Sequence, residues 1–130
     1  MANVVLVATS DDSRLLLRGL LRLHRQRILA EGESPELLSH LPVGMEGLVV
    51  LLDVDLTEER WSDPVRRLLA SRRDVRVVGV MPAGGPNGAA AKVSLPLTSR
   101  LYRPFSVRDF VRCLDGEGEG ARPDGPVRQG

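Results

Sequence analysis

The sequence predicts an α/β domain: one parallel sheet of five strands with helices covering both faces. Three observations carry this. Apolar runs of strand length alternate with segments of helical period from Val4 to Leu114, and such alternation is the signature of βα units feeding a parallel sheet. The runs Leu48 to Leu52 and Val75 to Val80 are apolar almost throughout, as in strands covered on both faces. The first of these stops abruptly at Asp53, with a second carboxylate at Asp55. In parallel α/β sheets, ligands and chemistry gather beyond the carboxyl ends of the strands.

Each element has its own reason. Val4 to Ala8 reads as a buried first strand. Thr9, Ser10, Asp11 and Asp12 then offer capping side chains for a helix over Ser13 to His24. Leu16, Leu20 and Leu23 are expected to form its apolar stripe, with Leu17 and Leu21 beside it. Arg14, Arg18 and Arg22 recur every four residues on another face. That face reads as solvated. Arg27 to Ala30 is a short second strand. Ser34-Pro35-Glu36 starts a helix reaching about Leu41: a cap, a proline in the first turn and an acid at the positive end.

Gly44 and Gly47 break the chain before the third strand, Leu48 to Leu52. Asp63-Pro64 is expected to start the next helix, carried by Val65, Leu68 and Leu69. Trp61 then falls in the preceding loop, where it packs over an exposed hinge or anchors a partner. Val75 to Val80 is the fourth strand, followed by a Gly/Pro-rich loop over 82–88 and a short helix over Ala89 to Val93. Leu97 to Tyr102 is the fifth strand. Ser106 caps a final helix bearing Val107, Phe110, Val111 and Leu114 on one face. From Gly116 to residue 130 almost nothing can be buried, and a disordered tail is expected after a domain spanning 1–115.

Composition narrows the function. The chain has 130 residues, enough for one domain with a core. A net charge of +1 and 3% aromatic residues argue against direct nucleic-acid binding or a membrane surface. The single cysteine, Cys113, cannot form an internal disulfide and reads as a small core residue. The opening MANVVLVATS is apolar for too few residues to be a signal or a span, so a cytoplasmic location is expected. There is no CxxC pair, P-loop or nucleophile elbow, and His24 and His40 stand apart, expected at the surface. The only lysine is Lys92, in a chain whose other bases are arginines.

Three segments, in order and at this spacing, resemble the receiver domain of two-component response regulators. They are LVVLLDVDL, closing on Asp53; ILAEGESPELLSHL; and LYRPFSVRDFVRCL. The resemblance covers roughly residues 3 to 115. It implies a flavodoxin-like (βα)5 three-layer sandwich and phosphotransfer from a histidine kinase to one aspartate, Asp53. A carboxylate attacking phosphorus needs its anionic surroundings neutralised. Receivers use Mg²⁺, a lysine and a hydroxyl residue, with hard oxygen ligands on the metal.

This sequence departs from that pattern. The acidic pair that follows strand one falls on Ala8 and Thr9, which supply no anionic ligand. Asp11 and Asp12 read as helix-start residues instead. The hydroxyl position falls on Met81 and the aromatic switch position on Arg100. The lysine of the KPF pattern is Arg103, which keeps the charge as a planar fork and can pair directly with Asp53 or Asp55. The resemblance also implies a cis Arg103-Pro104 bond. Asp55 is a possible auxiliary acid but reads first as a solvent-facing loop residue. No cofactor is expected. Mg²⁺ would have only Asp53 and Asp55 as weak candidates.

The expected function is a stand-alone, atypical receiver, or pseudo-receiver, in two-component phosphorelay signalling. It is a non-enzymatic protein–protein interaction module with impaired or absent phosphorylation of Asp53. Its partners are a histidine kinase or a downstream effector, and a homodimer is compatible with the reading. By resemblance, recognition falls on the face of helix four, strand five and helix five. The alternative is a small flavodoxin-like enzyme or nucleotide-binding protein using the same sheet edge, for which a large, deep pocket there would speak.

Overall fold

The computed structural model describes residues 2–116. The expected tail, apart from Gly116, lies outside the described residues. The five strands are β1 (Asn3–Ala8), β2 (Arg27–Gly32), β3 (Leu48–Asp53), β4 (Arg76–Met81) and β5 (Ser99–Tyr102). They form one parallel sheet in the order β2-β1-β3-β4-β5. The chain moves one way from β1 to β2 and the other way from β3 on, so the topological switch lies between β1 and β3. Ala8 and Asp53 are paired across that switch at the carboxyl ends of the two strands.

The α-helices are α1 (Asp11–Leu23), α2 (Glu59–Ser71) and α3 (Val107–Asp115). Side chains alternate through the sheet to build two cores. Val50, Leu52 and Val77 pack with Trp61, Val65 and Leu68 of α2. Val49, Leu51 and Val78 pack with Leu17 and Leu21 of α1 and Phe110, Cys113 and Leu114 of α3. This is the expected three-layer sandwich, and it explains why β3 is apolar along five consecutive positions. Arg76, at the start of β4, donates to the carbonyls of Cys113 and Leu114 and fastens the end of α3 to the sheet. Among the described residues no helix is long and apolar enough to cross a membrane.

The caps behave as the sequence implies at three starts. Ser10 accepts from the Ser13 amide, Ser34 from Glu36 and Ser106 from Asp109. Asp11 and Asp12 take the first turn of α1, and Cys113 is buried.

Several expectations are corrected. The segment after β2 forms only a 3₁₀ turn, Pro35–Ser39, in place of a helix to Leu41. Its capped start holds, but Pro42, Gly44 and Gly47 follow too closely for the turn to lengthen. The segment before β5 is likewise a four-residue 3₁₀ turn, Ala89–Lys92. β5 begins at Ser99, two residues later than expected, and β2 runs on to Gly32.

Helix α2 starts at Glu59, a turn before Asp63-Pro64, and carries Pro64 inside it. Trp61 therefore sits on the helix and is fully buried with Val65 and Leu68, neither over a hinge nor facing a partner. Burial of that indole is what draws the helix start backwards: residues 61, 65 and 68 share one face at helical spacing. On α1 the buried residues are Leu17 and Leu21, whereas Leu16 and Leu23 are 58% and 71% exposed. The leucine-rich helix offered two overlapping stripes, and packing of Leu17 and Leu21 against β1 and β3 selects between them, with Arg14 reaching back to the Ala8 carbonyl at 2.8 Å. His24 is only partly exposed, and its Nε2 atom is buried without a hydrogen-bond partner among the described residues.

Candidate functional site

Asp53 ends β3 at the carboxyl edge of the sheet, with its side chain only 12% exposed. Arg103 follows β5, placed by its amide donating to the Met81 carbonyl at 3.1 Å and by a cis bond to Pro104, as the resemblance implied. Its guanidinium meets the Asp53 carboxylate as a fork. Nη1 donates to Oδ1 at 3.0 Å and Nη2 to Oδ2 at 2.7 Å. Nη2 also donates to Ser13 Oγ on α1 at 3.3 Å. The hydrogen bonds it donates to Asp53 hold the Arg103 guanidinium above its ordinary pKa, against the opposing effect of burial. This bidentate geometry is available to arginine and not to lysine.

The other singled-out positions fall around this pair with different roles. Ala8 is buried, and its carbonyl accepts from Arg14 Nη1. Thr9 is exposed. Met81 is 1% exposed and fills the end of β4; a Cβ on Gly79 would lie 2.8 Å from its Cε and 2.7 Å from Leu97. Arg100 points along the sheet edge and donates to the carbonyls of Val93 (3.2 Å) and Leu95 (2.7 Å). Arg100 thereby staples the segment entering β5.

Asp55 is exposed and does not meet Arg103. Its Oδ1 accepts from the Thr57 amide at 3.0 Å and the Thr57 hydroxyl at 2.5 Å. These bonds, the hydroxyl first, hold its carboxyl below the usual carboxylate range. Through these two bonds Asp55 organises the turn into α2.

The residues present do not fit the Mg²⁺ ion that the receiver pattern implies. Both oxygens of Asp53 face a guanidinium, Ala8 and Thr9 bring no charge, and Asp55 is turned to Thr57. Asp11 pairs with Arg14. Among the described residues no group of three or more metal-ligating side chains comes together. Octahedral Mg²⁺ requires several converging oxygens.

A cavity of about 410 Å³ opens at the same edge, walled by Asp53, Asp55, Leu56, Met81, Lys92 and Arg103. Lys92 precedes the RPF segment and its being the only lysine is the one signal the sequence offers for it. Ser13 was read only as a helix residue, and nothing in the sequence pairs it with Arg103, ninety positions away. Of the arginine stripe on α1, Arg14 is engaged with Ala8 and Asp11, and Arg18 grips Glu31 at 2.7 Å. The Glu31 carboxylate raises the Arg18 pKa. Arg22 alone of the three has no polar partner among the described residues.

Solved structures share this architecture. A response regulator receiver domain from Clostridium thermocellum superimposes with a TM-score of 0.68 over 88% of this chain and 92% of that one, at 13% identity. The fold is the receiver fold. Chemotaxis protein CheY4 of Vibrio cholerae matches over 88% of this chain and 97% of its own, with a TM-score of 0.65 and 16% identity. The signal receiver domain of a modulated diguanylate cyclase from Desulfovibrio desulfuricans matches over 88% and 91%, at 0.68 and 14%. No family model matches the sequence, and no curated protein gives a significant match. At these identities the shared property is the receiver fold. The Asp53–Arg103 fork and the Arg100 staple are features of this chain's own residues.

Proposed function

We propose that this chain is a receiver-fold signalling module that works by protein–protein recognition, with phosphorylation of Asp53 impaired or absent. The observation that carries this is the fork between Arg103 and both oxygens of Asp53. A carboxylate engaged in two charge-assisted hydrogen bonds has lost much of its availability as a nucleophile. Nothing beside it replaces the metal, and Met81 offers no hydroxyl to a phosphoryl oxygen. The partners are signalling proteins, a histidine kinase or a downstream effector, with no direct contact to nucleic acid and no reaction of the chain's own. The face first expected to carry recognition is weakened as a reading, because the slot of helix four holds only a four-residue turn.

The test is treatment with a small phosphodonor and Mg²⁺, read by intact mass. Wild type is expected to stay unmodified, and capture of partners by wild type and Asp53→Asn to be equal. Stoichiometric addition that disappears in Asp53→Asn would overturn the reading. A second reading, ligand binding or catalysis at the same edge, is favoured by one observation: the cavity of about 410 Å³ with Lys92 on its wall. A small molecule that raises the melting temperature of wild type but not of Lys92→Ala would support it.

A further inference from the structure

Helix α1 presents an outward face that nothing among the described residues covers. Leu15, Leu16 and Leu23 are 62%, 58% and 71% exposed, three of the five large apolar residues exposed among the described ones. At the centre of this face is Gly19. A Cβ there would meet nothing within 4 Å, and its φ lies outside the left-handed region. Neither close packing nor backbone conformation within the chain asks for glycine at this position. Glycine is also a poor choice inside a helix, second only to proline.

The placement of these residues is self-complementary. Leu15 and Leu23 lie four positions before and four after Gly19, so the three form one i, i+4, i+8 ridge. The polar residues follow the same symmetry. Asp12 stands at the amino end of the helix, and Arg22 and Arg25 at the carboxyl end; among the described residues none of these three side chains has a hydrogen-bond or ion-pair partner.

We infer that a second copy of this chain docks on α1, the two helices crossing antiparallel at Gly19 about a two-fold axis. In that register Leu15 packs against Leu23 of the partner subunit, twice by symmetry. The absence of a side chain at Gly19 lets the two backbones approach at the crossing. The acidic amino end of each helix lies beside the basic carboxyl end of the other, and the helix dipoles oppose. A parallel arrangement would bring like charges together. The face continues into an apolar groove between α1 and α3, lined by Leu16, Leu20, Phe105 and Val107. This reading is independent of whether Asp53 is ever modified.

Sedimentation equilibrium of the whole chain tests it. Wild type is expected to show a reversible monomer–dimer equilibrium. Leu15→Glu and Leu23→Arg are each expected to weaken association about tenfold or more, with unchanged far-ultraviolet dichroism, because both positions face solvent in the monomer. The double variant Leu15→Glu/Leu23→Arg is expected to dimerise again through two cross-subunit ion pairs, now sensitive to salt. Gly19→Leu is expected to be monomeric and to melt no lower than wild-type monomer. A wild type that stays monomeric at all concentrations overturns the inference. So does a dimer indifferent to these variants, or a double variant that fails to reassociate.

Discussion

Arg103 reaches across the carboxyl edge of the sheet and takes both oxygens of Asp53, at 3.0 and 2.7 Å. The two residues are fifty positions apart, at the ends of β3 and β5. An arginine after the last strand has thereby become the built-in counter-ion of the carboxylate that closes the third.

The pair is expected to contribute to stability as a charge-assisted fork in a partly buried setting. Arg103→Ala should lower the unfolding free energy by about 1–3 kcal/mol, because it leaves Asp53 without its donors. Asp53→Asn should cost less, since the amide still accepts from the guanidinium. A double-mutant cycle from urea unfolding measures the coupling. Coupling indistinguishable from zero would mean that the fork is decorative.

Acid should weaken the protein through Asp55. Its folded pKa lies below the unfolded value of about 3.9. The resulting stabilisation is therefore complete above about pH 4 and is lost as pH falls through the lower, folded value. Asp74, held down by Arg72, acts in the same direction. In Thr57→Val the hydroxyl donor is gone, and the acid limb of a melting-temperature profile should flatten. An unchanged profile would place the acid sensitivity elsewhere.

Trp61 is the only tryptophan and is fully buried. Its emission should be blue-shifted in the native state and should report global unfolding. Trp61→Ala should cost about 3–5 kcal/mol. Trp61→Phe should cost far less, within about 1 kcal/mol, because it also removes an indole N–H that has no acceptor among the described residues. Red-shifted native emission would contradict burial on α2.

Met81→Thr restores the hydroxyl of the receiver pattern but empties a filled site at the end of β4. We expect a loss of about 1–3 kcal/mol in chemical denaturation. No phosphorylation should appear, since Arg103 still holds Asp53. Phosphorylation gained by this single change would show that the hydroxyl, and not the fork, was limiting.

Much of this molecule was legible in its residues. Valine- and leucine-rich runs at fixed spacing demand strands covered on both faces, and Ser10, Ser34 and Ser106 mark three helical starts through local bonds. Asp53 could be placed at a strand's carboxyl end because that rule needs only order along the chain. Local signals failed where two solutions were close in energy. Leu16/Leu20/Leu23 and Leu17/Leu21 are both acceptable stripes on α1, and only packing against β1 and β3 selects the second. Pro64 looked like a helix start until the burial of Trp61 outweighed it.

The sequence by itself determined the order of elements, the parallel sheet and the identity of the acid at its edge. These follow from periodicity and chain connectivity, which are local. The tertiary structure alone decided what that acid touches. Arg103 comes to Asp53, Ser13 to Arg103 and Lys92 to the adjoining cavity from three distant segments, and a side-chain contact across a sheet has no periodicity to announce it.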